Sequence, residues 1–132
     1  MVYDLIIIGG GPAGVAAGVY SARKKIKTLL ITESFGGQSL VSADVQNWIG
    51  TKSVSGLDLA NNLEGHLRAQ SDINIVDNDL VKSIKKSGDV FQVITKKLKQ
   101  FETKTVLITS GSRRRKLDIP GEKESDGKGV AY

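Results

Sequence analysis

Apolar strand patterns and helical patterns alternate over the first half of the chain. Residues 5–8 form a short, continuous apolar run, which is typical of a parallel strand buried on both faces. A predicted helix rich in small residues reaches about Lys24, and residues 27–31 read as a second strand. Ser55 is a helix N-cap candidate before a further helix, and residues 73–76 are a third strand. This alternation predicts an α/β domain with a parallel sheet.

The pattern changes after the third strand. Residues 80–85, 90–95 and 101–105 alternate apolar with polar side chains, and polar turns separate them. Alternation of this kind predicts a small antiparallel β-meander with one buried face. Residues 106–109 return to the pattern of a buried strand, which ends before Gly111.

A glycine motif separates the first strand from the first helix. Gly9, Gly11 and Gly14 form G-x-G-x-x-G, with Pro12 in the first helical turn. The first glycine permits a tight turn, the second lets the backbone approach a pyrophosphate, and the third lets the helix pack closely on the sheet. Glu33 follows the second strand, about 20 residues further on, where a carboxylate accepts hydrogen bonds from ribose hydroxyls. This order predicts a Rossmann-like dinucleotide site and disfavours NADP, whose 2′-phosphate would face the carboxylate.

The long connection at residues 34–50 favours FAD over NAD. It contains a glycine pair, two side-chain amides and a tryptophan, where a simple NAD domain continues into a helix. Long ordered loops are usually functional. Gly18 also favours FAD to a modest degree, since it lets the helix lie close to the sheet over another turn. The alternative interpretation is an ordinary β-α turn whose glycines serve packing only.

Composition excludes several kinds of chemistry. The chain contains no cysteine, so a disulfide framework, a thiolate metal site and a redox thiol pair cannot lie within its 132 residues. His66 lies on a predicted helix without a second metal ligand or a nucleophile to accompany it. We therefore predict no catalytic and no metal-binding residue. The apolar segment near the N-terminus is shorter than the roughly 20 residues of a membrane span. We therefore expect a cytoplasmic protein without a membrane partner.

The net charge of +5 includes a dense basic run at residues 113–116. A single-stranded nucleic-acid site usually combines such a run with aromatic side chains that stack on bases, and aromatic residues make up only 5% of the chain. We interpret the run as a solvated loop, or one that lies near a phosphate, and predict no nucleic-acid partner.

Several segments, in order along the whole chain, resemble the amino-terminal part of bacterial thioredoxin reductases, which are low-molecular-weight FAD-dependent pyridine nucleotide-disulfide oxidoreductases. These segments are IIIGGGPAG, GGQ at 36–38, VQNWIG at 45–50, TSGS at 109–112, IPGE at 119–122 and GKGVAY at 127–132. Many flavoproteins share the glycine motif, whereas GGQ, NW and IPGE at these separations are more specific. The resemblance implies an FAD-binding domain.

The resemblance also implies where FAD would bind. The glycine turn would hold the pyrophosphate, Glu33 the adenosine ribose, and backbone near Val81 the adenine. Residues 36–38 would approach the ribityl chain and flavin with Asn47 nearby, while Ser110 and Gly111 would close over the cofactor. The predicted cofactor-binding residues are Gly9, Gly11, Pro12, Ala13, Gly14, Glu33, Gly36, Gly37, Gln38, Asn47, Val81, Ser110 and Gly111.

The chain departs from the family pattern at a few positions. Ile49 stands where proline is common, and Thr109-Ser110-Gly111-Ser112 replaces the commoner Ala-Thr-Gly-Ala. We expect both changes to keep size and backbone role. Arg114 occupies a frequent proline position and loosens a loop that proline would stiffen.

In that family a Cys-x-x-Cys pair follows the segment resembling GKGVAY, at the start of an inserted NADPH-binding domain, and a last stretch of chain completes the FAD domain. We therefore interpret Tyr132 as a break, with an independent mini-protein as the alternative. Residues 1–126 would be the amino-terminal section of an incomplete FAD-binding domain, and residues 127–132 the start of a linker to a missing NADPH-binding domain.

The leading hypothesis is the FAD-binding section of an NADPH-dependent disulfide reductase. The intact parent, expected to be a homodimer, would pass electrons from NADPH through FAD and the absent cysteine pair to a thioredoxin-like protein disulfide. NADPH would bind only in the missing domain, and this chain alone would not turn over. Related alternatives are a peroxiredoxin-reducing flavoprotein and a cysteine-free ferredoxin-NADP reductase. From another class, the alternative is a stand-alone FAD- or NAD-binding module without catalysis.

Overall fold

A computed structural model of the protein describes residues 1–112, 115, 117–125 and 128–129. Most of the basic run at 113–116, including Arg114, and most of the predicted linker at 127–132 lie outside the described residues. The elements are β1 (Val2–Gly10), α1 (Pro12–Arg23), β2 (Thr28–Phe35), a 3₁₀ helix (Gly37–Val41), α2 (Gly56–Arg68), β3 (Ile73–Val76), β4 (Val81–Ser87), β5 (Val90–Thr95), β6 (Gln100–Ile108) and α3 (Glu122–Ser125).

The described strands form one mixed sheet in the order β3-β2-β1-β6-β5-β4. β3, β2, β1 and β6 pair in parallel with one another in that order. β6, β5 and β4 pair antiparallel. The predicted α/β class, with a parallel sheet and an antiparallel meander, is confirmed.

β6 belongs to both parts of this sheet. The sequence patterns predict two strands, at residues 101–105 and 106–109, and that division is wrong because the structure has one continuous strand. Residues 100–103 pair antiparallel with β5, and β6 pairs in parallel with β1 from Glu102 to Ile108. The apolar pattern changes along β6 because its neighbours change, and no turn residue separates Thr105 from Val106.

Each face of the sheet buries an apolar cluster. The cluster under α1 and α2 contains Ile7, Val15, Val19, Leu30, Phe35 and Leu67. The cluster under the meander contains Tyr3, Ile6, Leu29, Ile31 and Val93. Successive side chains of a strand point to opposite faces, so β1 and β2 need apolar residues at consecutive positions. This explains the continuous apolar runs of the two central strands.

α1 and α2 approach closely at Gly18. A Cβ atom added there would lie 2.6 Å from Cδ1 of Leu67 and 3.1 Å from Cδ1 of Ile73. Ser55 caps α2 as predicted, since its Oγ accepts a hydrogen bond from the Asp58 amide at 3.0 Å. Oγ of Ser55 also donates to Oδ2 of Asp58 at 2.6 Å. The close approach at Gly18 places α2 against α1 and the sheet, and the Ser55 cap fixes where α2 begins.

We expect Leu67→Ala to lower the free energy of unfolding by about 2–5 kcal/mol, because Leu67 is fully buried and its loss leaves a cavity between α1 and α2. Leu57 is the matched control: it lies on the same helix and is 59% exposed. Leu57→Ala should change the same quantity by no more than about 0.5 kcal/mol. Urea denaturation measures both, and equal losses would contradict this packing.

Candidate dinucleotide site

A cleft of about 440 Å³ opens at the carboxyl ends of β1 and β2, beside the start of α1. Ligands of open α/β sheets bind at this edge. Most of the predicted cofactor-binding residues line the cleft. They are Gly9, Gly11, Pro12, Ala13, Glu33, Gly37, Gln38, Val81, Ser110 and Gly111.

The remaining predicted residues lie near the cleft but do not line it. Gly14 is buried in the first turn of α1, and Gly36 adopts a positive φ of 91° just before the 3₁₀ helix. Asn47 lines a neighbouring cleft of about 680 Å³. Pro12 and Gln38 line both clefts, so the two spaces are adjacent at the start of α1.

Close packing requires glycine at the first and third glycines of the G-x-G-x-x-G motif. Gly9 has a φ of 116°, and an added Cβ would lie 2.9 Å from the carbonyl carbon of Thr109. A Cβ at Gly14 would collide with the carbonyl oxygen of Gly9. The turn can therefore lie against both α1 and the end of β6 only because these side chains are absent.

Gly11 differs from both neighbours in the motif. Its φ of −73° and ψ of −179° are extended values that any residue adopts. A Cβ added at Gly11 would meet only Cα of Gly37, at 4.0 Å. Neither the backbone nor the packing of the described residues requires glycine here. The space at Gly11 fits a ligand whose atoms approach the main chain closely.

The first turn of α1 presents backbone donors at the same place. Pro12 occupies the start of the helix, and Gly11 supplies no side-chain cap. The first amides of a helix have no acceptor within the helix, and the helix dipole makes this end positive. These amides and the open space at Gly11 together suit an anionic group such as a pyrophosphate.

Asp79 is a cleft residue that sequence reasoning missed. Its side chain is 3% exposed, and Oδ1 accepts hydrogen bonds from the amides of Leu80 at 2.9 Å and Lys97 at 3.2 Å. The Asp79 amide donates to the carbonyl oxygen of Thr32 at 3.1 Å. Oδ2 is buried without a hydrogen-bond partner among the described residues. No spacing in the sequence distinguishes Asp79 from an ordinary turn aspartate.

Asp79 connects the end of β2 to the meander in its ionised form. Burial raises the pKa of Asp79. The nearby Thr95 hydroxyl and the amides of Lys97 and Leu80 lower this pKa by more than burial raises it, so it lies below its ordinary value. The carboxylate therefore holds the backbone of Leu80 at the wall of the cleft, next to Val81.

Gln38 joins the two sides of the cleft. Its Nε2 donates to the carbonyl oxygen of Ser112 at 2.7 Å, which links the 3₁₀ helix to the segment after β6. In the neighbouring loop, the Asp44 carboxylate accepts hydrogen bonds from Ser53 Oγ at 2.6 Å and Gln46 Nε2 at 2.5 Å. These bonds lower the pKa of Asp44 and order the loop that carries Asn47.

Comparison with known proteins gives the family. The model of the family described as pyridine nucleotide-disulphide oxidoreductase matches residues 3–132. The chain belongs to the pyridine nucleotide-disulphide oxidoreductase family. Its glycine turn, sheet and meander are therefore the FAD-binding Rossmann-like fold of this family, and the prediction of FAD as the cofactor is confirmed.

Curated relatives align over 98% of this chain. NADH dehydrogenase of Bacillus subtilis is 38% identical over 130 residues, and an alkyl hydroperoxide reductase component of Staphylococcus epidermidis is 38% identical over 130 residues. The chain spans 25% of the length of each.

Solved structures of thioredoxin reductases are similar to this chain. The Lactococcus lactis enzyme has a TM-score of 0.85 at 37% identity, over 98% of this chain and 42% of its own. The thioredoxin reductase of T. acidophilum has a TM-score of 0.82 at 33% identity, over 96% of this chain and 41% of its own. The resemblance to the amino-terminal part of thioredoxin reductases is therefore confirmed.

The described part of the chain offers neither a metal-binding cluster nor a membrane-spanning helix. In these residues, no group of three or more histidine, aspartate or glutamate side chains is placed to hold a metal ion. None of the described helices is long and apolar enough to cross a membrane.

We expect the acid sensitivity of folding to depend on Asp79. Because its pKa is lowered in the folded state, the carboxylate stabilises the fold above the unfolded pKa of roughly 3.9, and this contribution is lost as the pH falls through the folded pKa. Asp79→Asn should therefore reduce the loss of stability between about pH 5 and pH 2. Urea denaturation across this range measures it. Asp72→Asn, at an exposed turn, is the control, and an unchanged acid response in Asp79→Asn would contradict the role.

Proposed function

We propose that this chain is the FAD-binding section of an NADPH-dependent flavoprotein disulfide reductase of the thioredoxin reductase type. The observation that carries the proposal is the open space at Gly11, where glycine serves neither backbone conformation nor packing among the described residues. The family assignment and the likeness to thioredoxin reductases support it.

The two adjacent clefts support binding of an extended cofactor with a ring system at each end. We propose that residues 9–14 hold the FAD pyrophosphate through main-chain amides. The adenosine half would lie between Glu33 and the backbone at Val81, in the first cleft. The flavin half would extend past Gln38 towards Asn47 in the second cleft.

Residues on either side of these contacts would complete the cradle. Gly36 and Gly37 both adopt positive φ values, so the chain turns sharply beside Gly11 and leaves the space open. Ser110 and Gly111 line the opposite wall after β6. In this proposal they close over the cofactor from that side.

Bound FAD would supply hydride acceptance and electron transfer, and this chain's residues would bind and orient it. In the whole protein, electrons would pass from NADPH through FAD and a Cys-x-x-Cys pair to a protein disulfide such as that of thioredoxin. The chain contains no cysteine, so the pair would belong to another part of the whole protein. The proposal also includes residues 127–132 as a linker, a homodimeric parent and a cytoplasmic location.

A stand-alone FAD- or NAD-binding module would use the same cleft without electron transfer. The two candidates differ in one respect: only a reductase couples NADPH oxidation to reduction of a disulfide. The relative named as an alkyl hydroperoxide reductase component is as similar to this chain as the NADH dehydrogenase is.

We expect Gly11→Ala to weaken FAD binding at least about tenfold, because the added methyl group fills space that the pyrophosphate needs. The free energy of unfolding should stay within about 1 kcal/mol of the wild type, since the backbone is already extended. Calorimetric titration with FAD and urea denaturation measure the two quantities.

Gly65→Ala is the matched control for this experiment. Gly65 lies within α2, and an added Cβ has no neighbour within 4 Å among the described residues. This change should stabilise the helix by roughly 0.5–1 kcal/mol and leave FAD binding unchanged. Wild-type FAD affinity in Gly11→Ala would refute the proposed site.

We expect Glu33→Ala to weaken binding of FAD and of ADP by about 1.5–3 kcal/mol, because charge-assisted hydrogen bonds to the ribose are lost. The same variant should bind 2′-phospho-ADP better relative to ADP, since the carboxylate no longer repels the phosphate. Competition titrations measure both ratios. Glu102→Gln, at an exposed position of β6, serves as the control. An unchanged affinity for ADP would contradict the assignment of Glu33.

A further inference from the structure

Thr109 lies where three segments of the chain meet. It follows β6 directly and lines the first cleft. Its amide donates to the carbonyl oxygen of Ile8 at 2.9 Å. Its Oγ1 is 3.0 Å from the same oxygen and 3.2 Å from the carbonyl oxygen of Gly9. Main chain and side chain of Thr109 therefore both hold the end of β1.

The Thr109 hydroxyl also occupies space that the glycine motif leaves free. A Cβ added at Gly14 would lie 2.8 Å from Oγ1 of Thr109. A Cβ added at Gly9 would lie 2.9 Å from the carbonyl carbon of Thr109 and 3.2 Å from the amide nitrogen of Ser110. The hydroxyl thus fits between the turn and the first turn of α1.

The glycine turn needs such a restraint. Gly9 has a φ of 116°, and a glycine samples many other conformations at little cost. The carbonyl of Gly9 and the amide of Gly10 belong to one planar peptide group. A hydroxyl that contacts the Gly9 oxygen therefore restricts the direction of the next amide as well. An ordered turn binds its ligand with a smaller loss of conformational entropy.

We infer that Thr109 is a positioning residue for the glycine turn at residues 9–14, which would hold the pyrophosphate. Its hydroxyl would act by hydrogen bonding to the carbonyl oxygen of Ile8 or Gly9. The inference rests on the proposed function and adds to it a residue outside the glycine motif. Alanine at this position would retain the amide bond to Ile8 and would lack the hydroxyl. Serine retains both.

A purely structural role would affect stability without affecting the ligand, and Thr103 provides the comparison. Thr103 lies within β6, the strand that Thr109 follows. It is fully buried and donates from Oγ1 to the carbonyl oxygen of Thr105 at 2.9 Å. It does not line either cleft. Thr109→Val and Thr103→Val therefore each remove one hydroxyl. The hydroxyl of Thr109 lies at the candidate site, and that of Thr103 lies away from it.

The experiment uses the whole protein that contains this chain, freed of its flavin. It titrates this protein with ADP and with FAD, and measures amide hydrogen exchange of the ligand-free protein. Thr109→Val should weaken ADP and FAD binding by about 5- to 10-fold, the usual effect of one lost hydrogen bond. It should also accelerate exchange at Gly9, Gly10 and Gly11. Thr109→Ser should restore both quantities to within about twofold of the wild type, since the hydroxyl is kept.

Thr103→Val should lower the urea midpoint and leave both affinities unchanged. The inference is overturned if Thr109→Val binds ADP and FAD as the wild type does, or if Thr103→Val weakens binding equally. Loss of binding in both Thr109→Val and Thr109→Ser would also overturn it, because the hydroxyl would then not be the cause. If the whole protein that contains this chain binds neither ligand, the proposed function fails, and the positioning role fails with it.

Discussion

The close approach of α1, the turn before it and the end of β6 is the constraint on which the candidate site depends. Side chains at Gly9 or Gly14 would collide with the backbone around them. The Gly36 amide donates to the carbonyl oxygen of Gly10 at 3.0 Å, which adds the end of β2 to the same point. The carboxyl ends of β1, β2 and β6 thus converge on one turn, and the cleft is the space that this convergence encloses.

The continuity of β6 places the meander beside this cleft. Because one strand pairs with β5 at its start and with β1 along the rest, the meander cannot move independently of the parallel sheet. The segment before β4 returns to the end of β2, where the Asp79 amide bonds to Thr32. Residues 79–81 form the wall of the cleft next to the meander. Because β6 is shared, this wall has a fixed position relative to the parallel sheet.

Local patterns predicted the strands, α1, α2 and the glycine turn because each is encoded over a few neighbouring residues. The continuity of β6 was missed because its sheet neighbour changes along its length. This change alters the apolar pattern in the same way as the end of one strand and the start of another. Asp79 was missed, and Thr109 was treated as a neutral replacement, for another reason. The Thr109 hydroxyl and the Ile8 oxygen are 101 residues apart, and no sequence period relates them. Single polar contacts between distant segments become visible only when the fold brings them together.

The charges at the candidate site explain why glycine and main-chain amides dominate it. The charged side chains among the described lining of the two clefts are the carboxylates of Glu33, Asp44 and Asp79, and no lysine or arginine is among them. A pyrophosphate there would therefore depend on the positive end of α1 and its unpaired amides within the described structure. Such short-range donors act only when the ligand touches the backbone, and any side chain at Gly11 would keep it away. The openness of Gly11 and the rigidity of the turn around Gly9 are two requirements of the same binding mode.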